Sequence, residues 1–159
     1  MSKILYILVG APGSGKSTWA RAQKDATWIS RDRVRFEIVK ENEEYFSRET
    51  EVYELYVEKL RAALNRGDKV VIADATHLTH KARERLLRAI NPSVHKVIYV
   101  YFKIDYPVLL ERNAQRTGRE RVPDSAVLRM YHSLLVDNLN EERTLNKTII
   151  TVNEEGEEG

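Results

Sequence analysis

Short apolar runs alternate along this chain with stretches in which apolar residues recur every three or four positions. The runs have the length of β-strands, and two of them, 4–9 and 97–102, carry no charged residue, as expected of strands buried on both faces of a sheet. This alternation is typical of a parallel sheet with helices on both faces. The predicted strands are 3–9, 27–30, 69–74, 97–102 and 148–152.

Helical spacing is clearest over 47–66, and Gly67 stands where a C-terminal helix cap belongs. We predict one α/β domain over 1–153 with a five-stranded parallel sheet. Residues 154–159 are acidic and are predicted to be disordered. The other predicted helices are 17–23, 80–90, 106–117 and 124–139.

Composition limits the possible functions of this 159-residue chain. The absence of cysteine excludes a disulfide framework and a thiolate zinc site. No apolar run approaches the roughly 20 residues of a membrane span, and the start lacks a secretory cleavage site. We therefore expect a cytoplasmic protein without membrane contact. The net charge is +2, and four glutamates lie in the last six residues, so the rest of the chain is more basic than this total. A basic surface suits a polyanionic ligand, although an ordinary charged surface explains it equally well.

A phosphate-binding motif follows the first predicted strand. Residues 10–17 read Gly-Ala-Pro-Gly-Ser-Gly-Lys-Ser, which satisfies G-x-x-x-x-G-K-[ST] between a strand and a helix, the context that this P-loop motif requires. Backbone N–H groups and Lys16 would bind the phosphates of ATP, and the hydroxyl of Ser17 would bind Mg²⁺. The predicted ATP-binding residues are Gly10, Ala11, Pro12, Gly13, Ser14, Gly15, Lys16, Ser17 and Thr18.

Polar residues follow the next two predicted strands, at the sheet edge where ligands bind in parallel α/β folds. Asp32 is a candidate general base, although an aspartate before a helical stretch is also a common helix cap. Asp74 has two interpretations: direct contact with the acceptor, or an ion pair with Arg35 or another arginine. Thr76 follows at the same edge.

Arginines are concentrated later in the chain. Arg112 and Arg116 are four residues apart on the predicted helix 106–117, and donors of this kind stabilise the charge that develops in phosphoryl transfer. Two solvated surface arginines are the alternative. Arg119 and Arg121 follow Gly118 in a stretch suited to a lid, and their individual roles stay open.

Histidine and tryptophan receive structural interpretations. The histidines show no metal-ligand spacing and are interpreted as surface or loop residues. Trp19 and Trp28 are interpreted as packing residues, with base stacking as the alternative. The four histidines are His77, His80, His95 and His132.

In order and spacing, these segments resemble the 5′-kinase domain of the phage polynucleotide kinases, over roughly residues 4–135. In that family, the aspartate matching Asp32 is the general base and the arginine matching Arg35 grips a phosphate of the acceptor strand. The aspartate matching Asp74 organises the acceptor pocket, and the arginines matching Arg112 and Arg116 cover the ATP phosphates. The matching segments are 10–21, Arg31-Asp32 with Arg35, Asp74-Ala75-Thr76, Arg112-Asn113 with Arg116, Val122-Pro123 and 127–131.

The resemblance implies an ATP- and Mg²⁺-dependent kinase that phosphorylates the 5′-hydroxyl of DNA or RNA, with Lys16, Asp32 and Arg116 as catalytic residues and Asp32, Arg35, Asp74 and Thr76 at the acceptor. His77 departs from the asparagine that the family often has there. No D-x-D-x-T motif is present, so the expectation covers only the kinase half. Other hydroxyl acceptors stay open: a hydroxymethylated base in DNA, a nucleoside or a small metabolite. A non-catalytic ATP-dependent switch is a further alternative.

Overall fold

The structure is a computed structural model, and it describes residues 2–137, 142 and 147–159. Within these residues, no helix combines the length and the apolar composition that crossing a bilayer requires. The strands are β1 Ile4–Val9, β2 Thr27–Ser30, β3 Val70–Asp74, β4 Lys96–Phe102 and β5 Thr148–Val152. The helices are α1 Lys16–Ala22, α2 Arg31–Ile38, α3 Glu49–Arg66, α4 His80–Ile90, α5 Tyr106–Ala114 and α6 Asp124–Val136, with a 3₁₀ turn at Gly118–Glu120.

The five strands form one parallel sheet in the order β2-β3-β1-β4-β5. Strand β1 lies in the centre, paired with β3 on one side and β4 on the other. Because all strands run in the same direction, their carboxyl ends meet at one edge of the sheet. This order places the loop after β1 beside the end of β3, and the end of β3 beside the start of α2.

The hydrophobic core lies on both faces of the sheet, as successive residues of β1 point to opposite faces. Leu5 packs with Leu60 of α3 and Leu86 of α4 in one buried cluster. Leu8 packs in the other cluster with α1, α5 and α6, through residues such as Leu109. The predicted α/β fold, a parallel sheet covered by helices on both sides, is confirmed.

Two segments differ from the sequence-based prediction. The charged segment from Arg31 forms α2, a helix that the apolar pattern did not define. Helix α5 ends at Ala114 rather than near 117. The side chain of Asn113 bonds to both backbone polar groups of Val122, which draws the chain back across the end of the helix. Helix α6 is described to Val136, and the predicted extension to 139 lies outside the described residues.

The acidic C-terminal residues have defined contacts where composition predicts disorder. The chain turns at 153–156 and returns beside β5, so that Thr151 and Gly159 exchange two backbone hydrogen bonds. The indole N–H of Trp19 donates to Glu158 Oε1 at 2.8 Å. Pairing to an edge strand and one buried donor provide these contacts despite the repulsion among the glutamates.

Truncation of a buried leucine tests the core. Leu60 of α3 is fully buried against the sheet, so Leu60→Ala leaves a cavity and should lower the free energy of unfolding by about 2–5 kcal/mol. Leu128→Ala, at a position 38% exposed, is the control and should change it by about 0.5 kcal/mol or less. Urea unfolding measures both values, and equal losses in the two variants would contradict this description of the core.

Candidate active site

The loop between β1 and α1 has a backbone that requires glycine. Gly13 and Gly15 have φ angles of 86° and 96°, in the left-handed region that other residues avoid. A Cβ atom at Gly10 would lie 2.6 Å from Ser14 Oγ and 3.0 Å from the Cβ of Phe102. The glycines therefore set the tight path of the loop from the sheet into α1.

The polar groups of this loop fit a polyphosphate. The ammonium group of Lys16 donates to the carbonyl oxygens of Gly10 and Ala11 at 3.0 and 3.1 Å. Burial lowers the pKa of Lys16. The hydroxyl of Ser14 is buried and has no hydrogen-bond partner among the described residues. A buried donor of this kind can bind an anionic ligand. The loop thus carries a partly buried cation and a buried hydroxyl, the kinds of group that bind phosphate oxygens.

Asp74 ends β3 beside the loop and is buried. Its Oδ2 atom accepts hydrogen bonds from Ser17 Oγ at 3.1 Å and from Trp28 Nε1 at 2.9 Å. Burial is the largest cause that raises the pKa of Asp74, and the neighbouring ammonium of Lys16 opposes it. A hydroxyl and a carboxylate beside a phosphate site are ligands that suit Mg²⁺, which typically takes one or two protein oxygens and completes its shell with phosphate and water.

Asp32 and Arg35 lie in the first two turns of α2. Ser30 caps this helix by accepting a hydrogen bond from the backbone N–H of Arg33, so the alternative of Asp32 as the cap is wrong. Arg35 Nη1 donates to Asp32 Oδ1 at 2.5 Å, and the hydroxyl of Tyr45 donates to the same oxygen at 3.2 Å. The carboxylate remains 54% exposed, which leaves it accessible to a substrate hydroxyl.

Arg35 is buried and held from several sides. Its Nε and Nη2 atoms donate to the two oxygens of Glu49 at 2.9 and 3.1 Å, a bidentate pair. Its guanidinium also stacks 4.7 Å from the ring centre of Tyr45. The predicted alternative of an Asp74–Arg35 ion pair is wrong, because Asp74 binds Ser17 and Trp28 while Arg35 binds Asp32 and Glu49.

One cavity brings the two halves of the predicted site together. Its walls are the phosphate loop, the ends of β3 and the start of α2, the segment around Tyr45, and the region after α5. The predicted site residues that line it are Pro12, Gly13, Ser14, Gly15, Lys16, Ser17, Asp32, Arg35, Asp74, Thr76 and Arg116.

The two predicted lid arginines are separated by the end of α5. Arg112 lies on the helix, and its guanidinium donates to the carbonyl oxygens of Gly13 and Glu154, at 3.2 and 2.8 Å. It lines a neighbouring cavity that Thr18 also lines. Arg116 lies beyond the helix and lines both cavities. The expectation that both arginines share one helix face is therefore wrong, and Arg116 is the one that lines the same cavity as Asp32 and Asp74.

Arg119, whose role stayed open, joins this segment to α2. Its Nη2 atom donates to the carbonyl oxygens of Phe36 and Val39, where α2 ends. The guanidinium also lies 4.8 Å from the ring centre of Phe36. The region that carries Arg116 is thus attached to the helix that carries Asp32.

His77 lies in the loop between β3 and α4, as one of its two interpretations had it, but its side chain is buried, so the interpretation as a surface residue is wrong. Its Nδ1–H donates to the carbonyl oxygen of Leu8, and its Nε2 accepts from the hydroxyl of Tyr56 at 3.1 Å. Burial lowers its pKa from 6.5 to about 3, so the ring is neutral. The sequence shows no apolar pattern around this position that would have indicated burial.

Three further residues shape the site without a sequence signal of their own. Tyr45 and Glu49 hold Arg35, and Trp28 holds Asp74. Tyr45 precedes the predicted helix 47–66 and Glu49 lies near its start, in a polar stretch of the sequence. Their contacts depend on the way α3 packs across α2, which spacing along the chain does not reveal.

The fold and this site define a P-loop nucleotide-binding domain with the architecture of the P-loop kinases. Residues 5–135 match the model of the family described as "AAA domain". The chain belongs to that family.

Two proteins with described functions contain a region similar to this chain. A viral protein described as a bifunctional polynucleotide kinase/RNA ligase, from Autographa californica nuclear polyhedrosis virus, is 26% identical over 150 residues, which cover 86% of this chain and 22% of the relative. A chain from the Pnkp1/Rnl/Hen1 RNA repair complex superposes with a TM-score of 0.68 at 25% identity, covering 84% of this chain and 44% of its own. The chain therefore spans about a fifth of the viral protein and under half of the chain from the repair complex.

A sugar kinase from Janibacter sp. HTCC2649 shares the fold, with a TM-score of 0.61 at 15% identity over 96% of this chain and 86% of its own. The resemblance to polynucleotide kinases is confirmed by the first two relatives, whereas this third one shows the architecture alone.

The neutral state of His77 predicts a pH-dependent stability. The unfolded histidine binds a proton near pH 6.5, whereas the folded one has a pKa of about 3. Unfolding therefore takes up a proton between these values, and the free energy of unfolding falls by up to about 1.4 kcal/mol per pH unit as the pH decreases below 6.5. His77→Asn, which tolerates the positive φ of 42° at this position, should lose this contribution.

Urea unfolding of both proteins from pH 7.5 to 4.5 measures the effect. The stability advantage of the wild-type protein over His77→Asn should shrink steadily as the pH decreases. A constant difference across this range would show that His77 does not remain neutral in the fold.

Proposed function

We propose that this chain is an ATP-dependent polynucleotide 5′-hydroxyl kinase, which transfers the γ-phosphate of ATP to the 5′-hydroxyl end of DNA or RNA. The observation that carries the proposal is the presence of Asp32, Lys16 and Arg116 in one cavity. A proton acceptor thus lies beside cations that bind phosphate, which is the arrangement that phosphoryl transfer to a hydroxyl needs. The two relatives named for polynucleotide kinase or RNA repair support the choice of acceptor.

On the donor side, the loop N–H groups and Lys16 bind the β- and γ-phosphates of ATP. Ser17 and Asp74 would hold Mg²⁺, which would supply positive charge against the phosphates. Arg116 supplies a planar pair of donors to the transferring group, where negative charge develops. Burial lowers the pKa of Lys16, and the negative charge of the bound phosphates stabilises its ammonium form.

On the acceptor side, Arg35 binds a phosphate of the strand while its contacts with Glu49 hold the guanidinium in place. Asp32 accepts the proton of the 5′-hydroxyl as that oxygen forms a bond to the γ-phosphorus. The bond from the γ-phosphorus to the bridging oxygen breaks, and ADP leaves with the electron pair. Arg35 and Tyr45 bind only one oxygen of Asp32, so the other oxygen is available for the proton.

A panel of acceptors tests the proposal. The protein is incubated with labelled ATP and Mg²⁺ and with 5′-hydroxyl DNA, 5′-hydroxyl RNA, their 5′-phosphorylated controls, hydroxymethyluracil DNA, free nucleosides and a sugar. We expect transfer to the 5′-hydroxyl strands and none to the 5′-phosphorylated controls. Equal transfer to 5′-phosphorylated strands, or transfer only to a nucleoside or sugar, would overturn the proposed acceptor. ATP binding without transfer to any acceptor would favour a nucleotide-dependent switch.

Asp32→Asn separates catalysis from binding. The amide still accepts a hydrogen bond from Arg35 but cannot accept the proton, and loss of a general base typically costs about 10²–10⁴ in rate. Single-turnover transfer to a 5′-hydroxyl oligonucleotide should fall by this factor, with thermal unfolding and ATP affinity near wild type. Glu37→Gln, an exposed change on the same helix, is the control and should transfer at the wild-type rate. Transfer within a few-fold of wild type in Asp32→Asn would assign the base to another residue.

Arg116→Lys tests the planar donor pair. Lysine keeps the charge but presents a single point of attachment, so we expect kcat to fall at least about tenfold with a smaller change in KM for ATP. Arg121→Lys changes a half-exposed arginine of the same segment and is the matched control. Steady-state kinetics measures both, and equal kcat values in the two variants would place Arg116 outside the reaction.

A further inference from the structure

The indole N–H of Trp28 donates a hydrogen bond to Asp74, the buried carboxylate beside the phosphate loop. We propose that Trp28 is a positioning residue for the Mg²⁺ site: its indole N–H fixes Asp74 so that Asp74 and Ser17 present free oxygen lone pairs to the cation. The inference rests on the proposed binding of Mg²⁺ and ATP, and it is independent of the acceptor.

Strand pairing brings Trp28 to Asp74. In the register of β2 and β3, Trp28 lies opposite Ile72 and Ser30 lies opposite Asp74. Alternate residues of a strand share a face, so Trp28 and Asp74 are diagonal neighbours on the same face of the sheet. That separation is too wide for small side chains, and the long indole spans it to reach Oδ2 at 2.9 Å.

Two donors meet on one carboxylate oxygen. Ser17 Oγ and Trp28 Nε1 both donate to Asp74 Oδ2, and no residue in the described part of the chain donates to Oδ1. The hydroxyl of Ser17 has one hydrogen, which points to Asp74, so its two lone pairs point elsewhere and can bind a cation. The Oδ1 atom of Asp74 likewise has lone pairs that no described residue occupies and that can face the cation.

Tryptophan suits this position because the indole nitrogen is a donor and never an acceptor. The indole can therefore only donate to the carboxylate of Asp74, and this hydrogen bond stabilises the ionised carboxylate. Burial raises the pKa of Asp74, and the indole hydrogen bond opposes that rise. The ring itself is held by the guanidinium of Arg33, 4.1 Å from its centre, and by that of Arg21 at 5.6 Å.

The test compares nucleotide affinity with and without the metal. Affinity for ATP is measured by calorimetry in saturating Mg²⁺ and in EDTA, without any acceptor, and the ratio of the two affinities reports the metal site. In Trp28→Phe, which keeps an aromatic ring but removes the donor, the ratio should fall by about 10–100-fold, as is usual for residues that orient metal ligands. Affinity in EDTA should stay near wild type.

Trp19→Phe is the matched control, because it also removes an indole N–H that donates to a carboxylate, that of Glu158, away from Asp74. Its ratio should equal that of the wild type. In an Asp74→Asn background, Trp28→Phe should lower the ratio no further, because Trp28 acts through Asp74. Trp28→His retains a ring N–H and should keep more of the ratio than Trp28→Phe.

Several results would overturn the inference: a ratio within twofold of wild type in Trp28→Phe, equal losses in Mg²⁺ and in EDTA, or additive losses in the double variant. Should Trp28→Phe fail to fold, the same ratio is measured for Trp28→His in the wild-type protein and in the Asp74→Asn background. Because no acceptor is present, the result is separate from the acceptor panel: a failed transfer reaction leaves the ratio measurable, and an unchanged ratio leaves the transfer reaction intact.

Discussion

The site depends on the pairing of the central strand β1 with β3. This register places the end of β3 beside the loop that leaves β1, so a buried carboxylate lies next to Lys16 and Ser17 at the end of that loop. The pairing of β2 with β3 adds the start of α2 to the same edge. Parallel strands make this possible because their carboxyl ends meet, and the helices on both faces keep the strands buried.

The second constraint is electrostatic. Asp32 and Arg35 are held together by a short ion pair, and Glu49 anchors the arginine from α3. In the proposed reaction, Asp32 must stay charged and accessible to accept a proton, while Arg35 must stay oriented to bind a phosphate. Sharing Arg35 between Asp32 and Glu49 meets both needs, and it explains why an acidic residue of a neighbouring helix belongs to the site. Arg119 extends this connection to the segment that carries Arg116.

Sequence alone predicts the parts of this protein that depend on local pattern. The five strands and the long helix α3 follow from apolar periodicity, and the phosphate loop follows from its motif. The position of two acids at the carboxyl edge of the sheet was predictable, because Asp32 comes soon after one apolar strand and Asp74 ends another. Pairwise contacts were not: the partner of Arg35, the burial of His77 and the early end of α5 depend on side chains distant in sequence. The hydrogen bonds of Asn113 to Val122 are an example, since nothing in either segment alone indicates that they meet.

The two tryptophans give this protein a built-in optical signal. The chain has only two, and the indole N–H of each donates to a carboxylate, one in the C-terminal turn and one beside the phosphate loop. Indole emission responds to nearby charge, so the two rings report on different parts of the molecule. A protein that keeps only Trp28 would follow the arrival of nucleotide and metal by its own fluorescence, in real time and without a dye.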